Sequence, residues 1–129
     1  MLVSPAGEAC CHNGLLLREG EDGEIFFVPY DFDMAGIVDA PYAEPNPRFN
    51  LRSVTERLYR GHCRFNPDME AAKTAYLDNQ DTVMSLIENH PGLDKRNLKR
   101  VTRFMEQFYE NIGDPKKFGK EITDECIGG

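Results

Sequence analysis

The chain has no tryptophan, no long apolar run and, over its first third, almost no basic charge. Nothing approaches the roughly 20 consecutive apolar residues of a membrane-spanning helix, so no span is expected. The first residues lack both the basic flank and the apolar core of an export signal. Residues 1 to 47 hold nine Asp or Glu against the single base Arg18, a net −8, whereas residues 48 to 129 hold thirteen acids and fourteen bases, a net +1. A basic stripe is what direct nucleic-acid binding requires, and an acidic first third argues against it and for cations. In place of tryptophan, eight Phe and five Tyr supply the bulk for a core. A single domain of this size buries about two-thirds of the surface its unfolded chain exposes.

The most informative stretch is Val28-Pro29-Tyr30-Asp31-Phe32-Asp33-Met34-Ala35-Gly36, which sets two carboxylates where an apolar run ends. Upstream, His12-Asn13-Gly14-Leu15-Leu16-Leu17 opens another apolar run, and Glu19-Gly20-Glu21-Asp22-Gly23-Glu24 between them reads as a solvated turn. Two apolar runs flanking a glycine-containing turn predict a β-hairpin. A hairpin joins its outer ends, so Asn13 and Asp31 are expected to be neighbours although they lie eighteen positions apart. Asn and Asp oxygens suit Mg²⁺, a hard ion that takes one or two carboxylates and completes its shell with water and phosphate oxygens.

An Asn, a strand, a turn, a second strand and an Asp at its end resemble the lower lobe of protein-kinase-like phosphotransferases, where Asn and Asp hold the metals that bridge the nucleotide phosphates. Tyr30-Asp31-Phe32-Asp33 is closer to the atypical CotH-type spore coat kinases and HipA-type toxin kinases than to ordinary protein kinases. The resemblance spans residues 8 to 36 and implies Asn13 and Asp31 as metal ligands, Asp33 as a second carboxylate, and Mg or Mn with ATP as cofactors. It also implies a nucleotide and a hydroxyl-bearing phosphoacceptor as partners. The position of the catalytic base, five residues before the Asn, holds Glu8, a weak candidate with no His-Arg-Asp around it. Residues 1 to 7 leave no room for a nucleotide-binding upper lobe, so the expectation is that Met1 is an internal start, an N-terminal lobe is missing and the isolated chain is inactive; the alternative is a remnant that no longer catalyses.

Beyond the hairpin, Asp39-Ala-Pro-Tyr-Ala-Glu-Pro-Asn-Pro47 places three prolines in nine residues, which excludes a helix or an interior strand. The remainder reads as helical. Leu51, Val54 and Leu58 suggest a short helix ended by Gly61, and Asn66-Pro67-Asp68 suggests a helix start. Met69, Ala72, Tyr76, Val83, Leu86 and Ile87 mark a buried side, interrupted at Asp78-Asn79-Gln80-Asp81. After Pro91-Gly92, Leu98, Val101, Met105, Phe108 and Ile112 form another apolar face, widened by Phe104 and Tyr109. A last short helix is expected from Pro115 to about Glu125. The predicted class is α+β, mainly α, in one domain: hairpin over 1–36, proline-rich loop over 37–50, and a bundle of four or five helices over 51–129.

Arg52, Arg57, Arg60 and Arg64 decorate the other side of the predicted first helix; of Arg48, Arg52, Arg57 and Arg60, which could reach phosphate or an acidic partner, Arg52 and Arg57 are the candidates to pair with Asp31, Asp33 or Asp39. The competing reading is a solvated face. The four cysteines, Cys10, Cys11, Cys63 and Cys126, leave three readings open: a Cys63–Cys126 bridge, a zinc site with His12 and His62, or free thiols. Disulfides would favour an exported or periplasmic protein and reduced thiols a cytoplasmic one. Two functions follow as expectations. One is the metal-binding lower part of a phosphotransferase moving the γ-phosphoryl of ATP to a protein or small-molecule hydroxyl; the other is a non-catalytic helical module that binds a protein partner. A metal-dependent hydrolase is weaker, because no His-rich or further carboxylate cluster accompanies Asp31 and Asp33.

Overall fold

The computed structural model describes residues 14–128. It is mixed α+β and mainly helical, with a small N-terminal hairpin followed by four α-helices. Strands β1 (Gly14–Arg18) and β2 (Ile25–Pro29) pair antiparallel, with Gly14 opposite Pro29, Leu16 opposite Phe27 and Arg18 opposite Ile25. Leu, Ile, Phe and Val favour this pleated conformation. The loop between the strands turns through Gly20 at φ 75°, a conformation that costs a residue without Cβ little. Arg18 steadies the loop by donating to the Glu21 carbonyl at 3.0 Å.

Residues 30 to 61 form turns and extended chain rather than helix or strand. The proline-rich part behaves as its composition predicts, but the helix expected at Leu51, Val54 and Leu58 does not form. Its amides go to side chains instead: the Thr55 amide donates to Ser53 Oγ at 3.1 Å, and the Arg52 amide to Glu56 Oε2 at 3.2 Å. Short polar side chains that offer the backbone such partners compete with helix formation, and here they leave a single turn, closed by Glu56 N to Ser53 O at 3.1 Å.

The helical part begins with a 3₁₀ turn (Cys63–Asp68) leading into α1 (Met69–Asp78), then α2 (Gln80–Glu88), α3 (Lys95–Gly113) and α4 (Pro115–Phe118). Pro67 lies inside the 3₁₀ turn instead of at the first position of α1. Asn66 does not cap that helix; its Nδ2 donates to Thr123 O at 3.1 Å, fastening the turn to the C-terminal segment. The break between α1 and α2 falls at Asn79, which donates from Nδ2 to Ala75 O at 2.8 Å. Helix α3 is capped by Asp94, whose Oδ1 accepts from the Asn97 amide at 2.8 Å. Asp114 stops α3 and caps α4, and α4 runs on into one π turn (Gly119–Thr123) closed by Asp124 N to Gly119 O at 2.9 Å.

The core is small. Val101, Tyr109, Ile112 and Phe118 are buried, and Met69, Leu77, Val83, Met84, Met105, Phe108 and Ile122 pack partly buried around the last three. Tyr76 and Leu86, assigned to the buried side by periodicity, are largely exposed, and Leu77 and Met84 point inward in their place. Met69, Ala72, Val83 and Ile87 are half-buried as the spacing predicts, so the apolar stripe keeps its place and Leu77 and Met84 widen it. Tyr76 still meets Phe108 edge to face at 5.4 Å.

Cys63 and Cys126 are joined by a disulfide. Beside it, the Cys63 amide donates to Ile127 O at 3.0 Å and the Ile127 amide to Gly61 O at 2.9 Å, a short parallel bridge centred on His62 and Ile127. The C-terminal segment is thereby clamped to the chain that enters α1.

Candidate functional site

Strand β2 ends at Pro29, and two residues on, Asp31 adopts φ 62°. Asp tolerates the left-handed region better than most residues, yet a non-glycine residue held there is uncommon and such positions gather at functional sites. Asp33 follows after Phe32, and Ala35 closes a turn by donating its amide to Phe32 O at 2.8 Å. The Asp33 charge, followed by a side-chain interaction with Asp33, raises the phenol of the exposed Tyr42, from the proline-rich loop, above its ordinary pKa.

Asp31 and Asp33 are hard oxygen donors, the set that suits Mg or Mn. Among the described residues no group of three or more His, Cys, Asp or Glu gathers to make an all-protein metal cage. Mg²⁺ bound chiefly through phosphates does not need one. Glu8, Asn13, Cys10, Cys11 and His12 lie outside the described residues, and with them the expected Asn13–Asp31 pair, the candidate base and the N-terminal zinc ligands.

Arg52 and Arg57 take other partners than the ones anticipated. Arg52 Nε pairs with Glu56 Oε1 at 2.9 Å on the surface. Arg57 sits over Phe104, its guanidinium carbon 3.8 Å from the ring centroid, and donates to the Phe104 carbonyl. Desolvation there lowers its pKa, against the opposing pull of Glu121. The stack holds the 51–61 segment on α3. The base that reaches the loop after Asp33 is Arg100, which donates to Ile37 O at 2.9 Å and approaches Asp39 Oδ2 at 3.9 Å.

Gly36 explains how the carboxylate segment is seated. A Cβ there would stand 2.5 Å from Val54 O and 3.2 Å from both Thr55 Cα and Phe104 Cε2. Only glycine lets the backbone leaving Asp33 lie between the 51–61 segment and α3.

Two open cavities flank this junction. One, of about 660 Å³, lies between Arg57, Tyr59 and the α3–π-turn corner at Asn111, Lys120 and Glu121. The other, of about 400 Å³, lies between Gly36 with Thr55 and the side of α3 that carries Arg96, Lys99, Arg100 and Arg103. These four bases escaped the reading that singled out the arginines of 48–60, although the spacing i, i+3, i+4, i+7 on a helix was there to be seen. Comparison of the chain with protein-family models, curated proteins and solved structures finds no match to any of them.

Proposed function

We propose that the chain is the metal-binding lower part of a kinase-like phosphotransferase, with Asp31 and Asp33, and Asn13 by resemblance, holding Mg or Mn against nucleotide phosphates. The observation that carries this reading is Asp31 at positive φ directly past an apolar strand, with Asp33 two residues on, its charge raising the Tyr42 phenol. A bound metal would neutralise and position the phosphate oxygens of ATP for transfer to a protein or small-molecule hydroxyl. The carboxylates' part is to present oxygen donors from a backbone that Gly36 and Phe104 lock onto α3.

Isothermal titration of Mn·ATP into the wild type and into Asp31→Asn tests it. Asn tolerates the same backbone conformation, so the variant keeps the fold while losing a charge. Binding weakened at least tenfold, with an unchanged helical circular-dichroism signal, is expected. Equal affinity in the variant, or no metal-dependent nucleotide binding by the wild type, overturns the reading.

One observation favours a second reading. Leu15, Leu17, Phe26 and Val28 share one face of the hairpin and remain 38–52% exposed, and Tyr30, Phe32 and Met34 continue the exposed apolar surface. In that reading the hairpin is a structural arm that covers itself with a protein partner, and nucleotide binding is absent from wild type and variant alike.

A further inference from the structure

We propose that the groove between Gly36 and the basic side of α3 binds a compact, multiply phosphorylated small molecule, independently of Asp31, Asp33 and any metal they hold. The chain carries a net charge of −7, yet the stretch Lys95 to Arg103 holds five bases and no acid. That placement works against the helix itself, because the N-terminal end of a helix is its positive end and favours anions. The first turn of α3 contains no acidic residue, and Asp94 at the cap is the local counter-charge. A charge pattern that opposes its own secondary structure without a compensating contact marks a site kept for another purpose.

The contacts agree. Among the described residues, the side chains of Arg96, Lys99 and Arg103 form no ion pair and no hydrogen bond, while that of Arg100 is drawn to Ile37 O and, at 3.9 Å, to Asp39. Residues 96, 99, 100 and 103 fall on one side of α3, and over seven residues they spread about 10.5 Å along the axis. That length matches two or three linked phosphates rather than one. Thr55 and Gln107 add neutral hydrogen-bonding groups to the walls, and the Phe104 ring and Gly36 line the groove between them. Its volume of about 400 Å³ is that of a small-ligand site. Arginine forks bind phosphate through paired, charge-assisted hydrogen bonds, and three of the four bases are arginines. An extended acidic peptide would need a longer track than this groove provides.

The test uses inorganic tripolyphosphate as the probe, titrated calorimetrically into the whole chain at about 0.15 M salt, where long-range charge effects are screened. EDTA is present throughout, so that the carboxylate site cannot contribute through a metal. Saturable 1:1 binding is expected, weakened at least tenfold in the Arg96→Gln/Arg103→Gln double variant. It should change less than twofold in Lys116→Gln/Lys117→Gln, which removes equal charge from α4. Arg96 and Arg103 hold no partner, so their removal leaves the fold intact, checked by an unchanged urea midpoint. Absence of saturable binding, equal losses in the two double variants, or tighter binding of hexaglutamate than of tripolyphosphate would each overturn the proposal.

Discussion

Opening the Cys63–Cys126 bridge should cost this protein a large share of its stability. The bridge spans 63 residues and closes a loop that contains α1, α2, α3 and α4. In the loop-entropy account, a cross-link of that length restricts the unfolded chain by roughly 4.3 kcal/mol at 25 °C. Domains of this kind are stable by only about 5–15 kcal/mol. The buried set here is Val101, Tyr109, Ile112 and Phe118, so there is little core to absorb such a loss. The backbone bonds beside the bridge, Cys63 N to Ile127 O and Ile127 N to Gly61 O, also depend on the C-terminal segment staying in place. Urea unfolding followed by circular dichroism, with and without a reductant, reads the effect directly. A Cys63→Ser/Cys126→Ser variant separates it from any thiol chemistry at Cys10 and Cys11. The expected result is a fall of about 4 kcal/mol in both experiments, measured by linear extrapolation. A fall below about 1 kcal/mol would refute the reasoning, because it would mean that the unfolded chain is not restricted by the link.

Ile112→Ala should destabilise by about 3 kcal/mol in the same assay, since the side chain is 3% exposed between Tyr109 and Phe118 and its loss leaves a cavity. Gly36→Ala should loosen the 30–61 segment from α3 before it unfolds the helices, because the new methyl meets Val54 O; amide exchange rising there while α3 stays protected is the expected signature. Asp114 accepts from the Lys117 and Lys116 amides, and these bonds hold its carboxyl below the ordinary aspartate value. Its contribution is therefore complete above that value and is lost as pH falls through the depressed one. An Asp114→Ala variant should be less stable than wild type at neutral pH, with the difference vanishing in acid; a difference that persists at the lowest pH would contradict the assignment.

The parts of this fold that were legible in the sequence are those where one signal acts alone. Gly20 between two apolar runs gives the hairpin, three prolines give the irregular loop, and Asn79 and Pro91-Gly92 divide the helices where they were expected to. Misreadings occurred where two signals competed. At Leu51, Val54 and Leu58 the apolar spacing favoured a helix, but Ser53, Thr55 and Glu56 offered the backbone nearer partners and prevailed. At Asn66-Pro67 the capping pattern was outweighed by a tertiary bond from Asn66 to Thr123, 57 residues away, which no local reading contains. At the candidate site, Asp31 and Asp33 are named by their position after a strand. The residues that seat them, Gly36, Phe104 and Arg100, belong to contacts across 60 or more positions for Arg100 and Ile37.

That long-range seating bears on which function the hairpin serves. A purely structural arm needs its apolar face covered, and the exposed Leu17 and Phe26 leave that requirement unmet by the described residues. It does not need the segment beyond β2 to be fixed, and a slack connector would cost less than Asp31 at φ 62° and Asp39 at φ 51°. Yet this segment is pinned at Gly36 against Val54 and Phe104, and at Ile37 by Arg100, while Phe104 is itself held under Arg57. Two contacts, at Gly36 and at Ile37, fix this short stretch, and Arg57 holds Phe104 behind the first of them. Under the reading we propose, such fixing is what two carboxylates need to meet a ligand in a set geometry, because a donor free to wander spends its binding energy on being ordered.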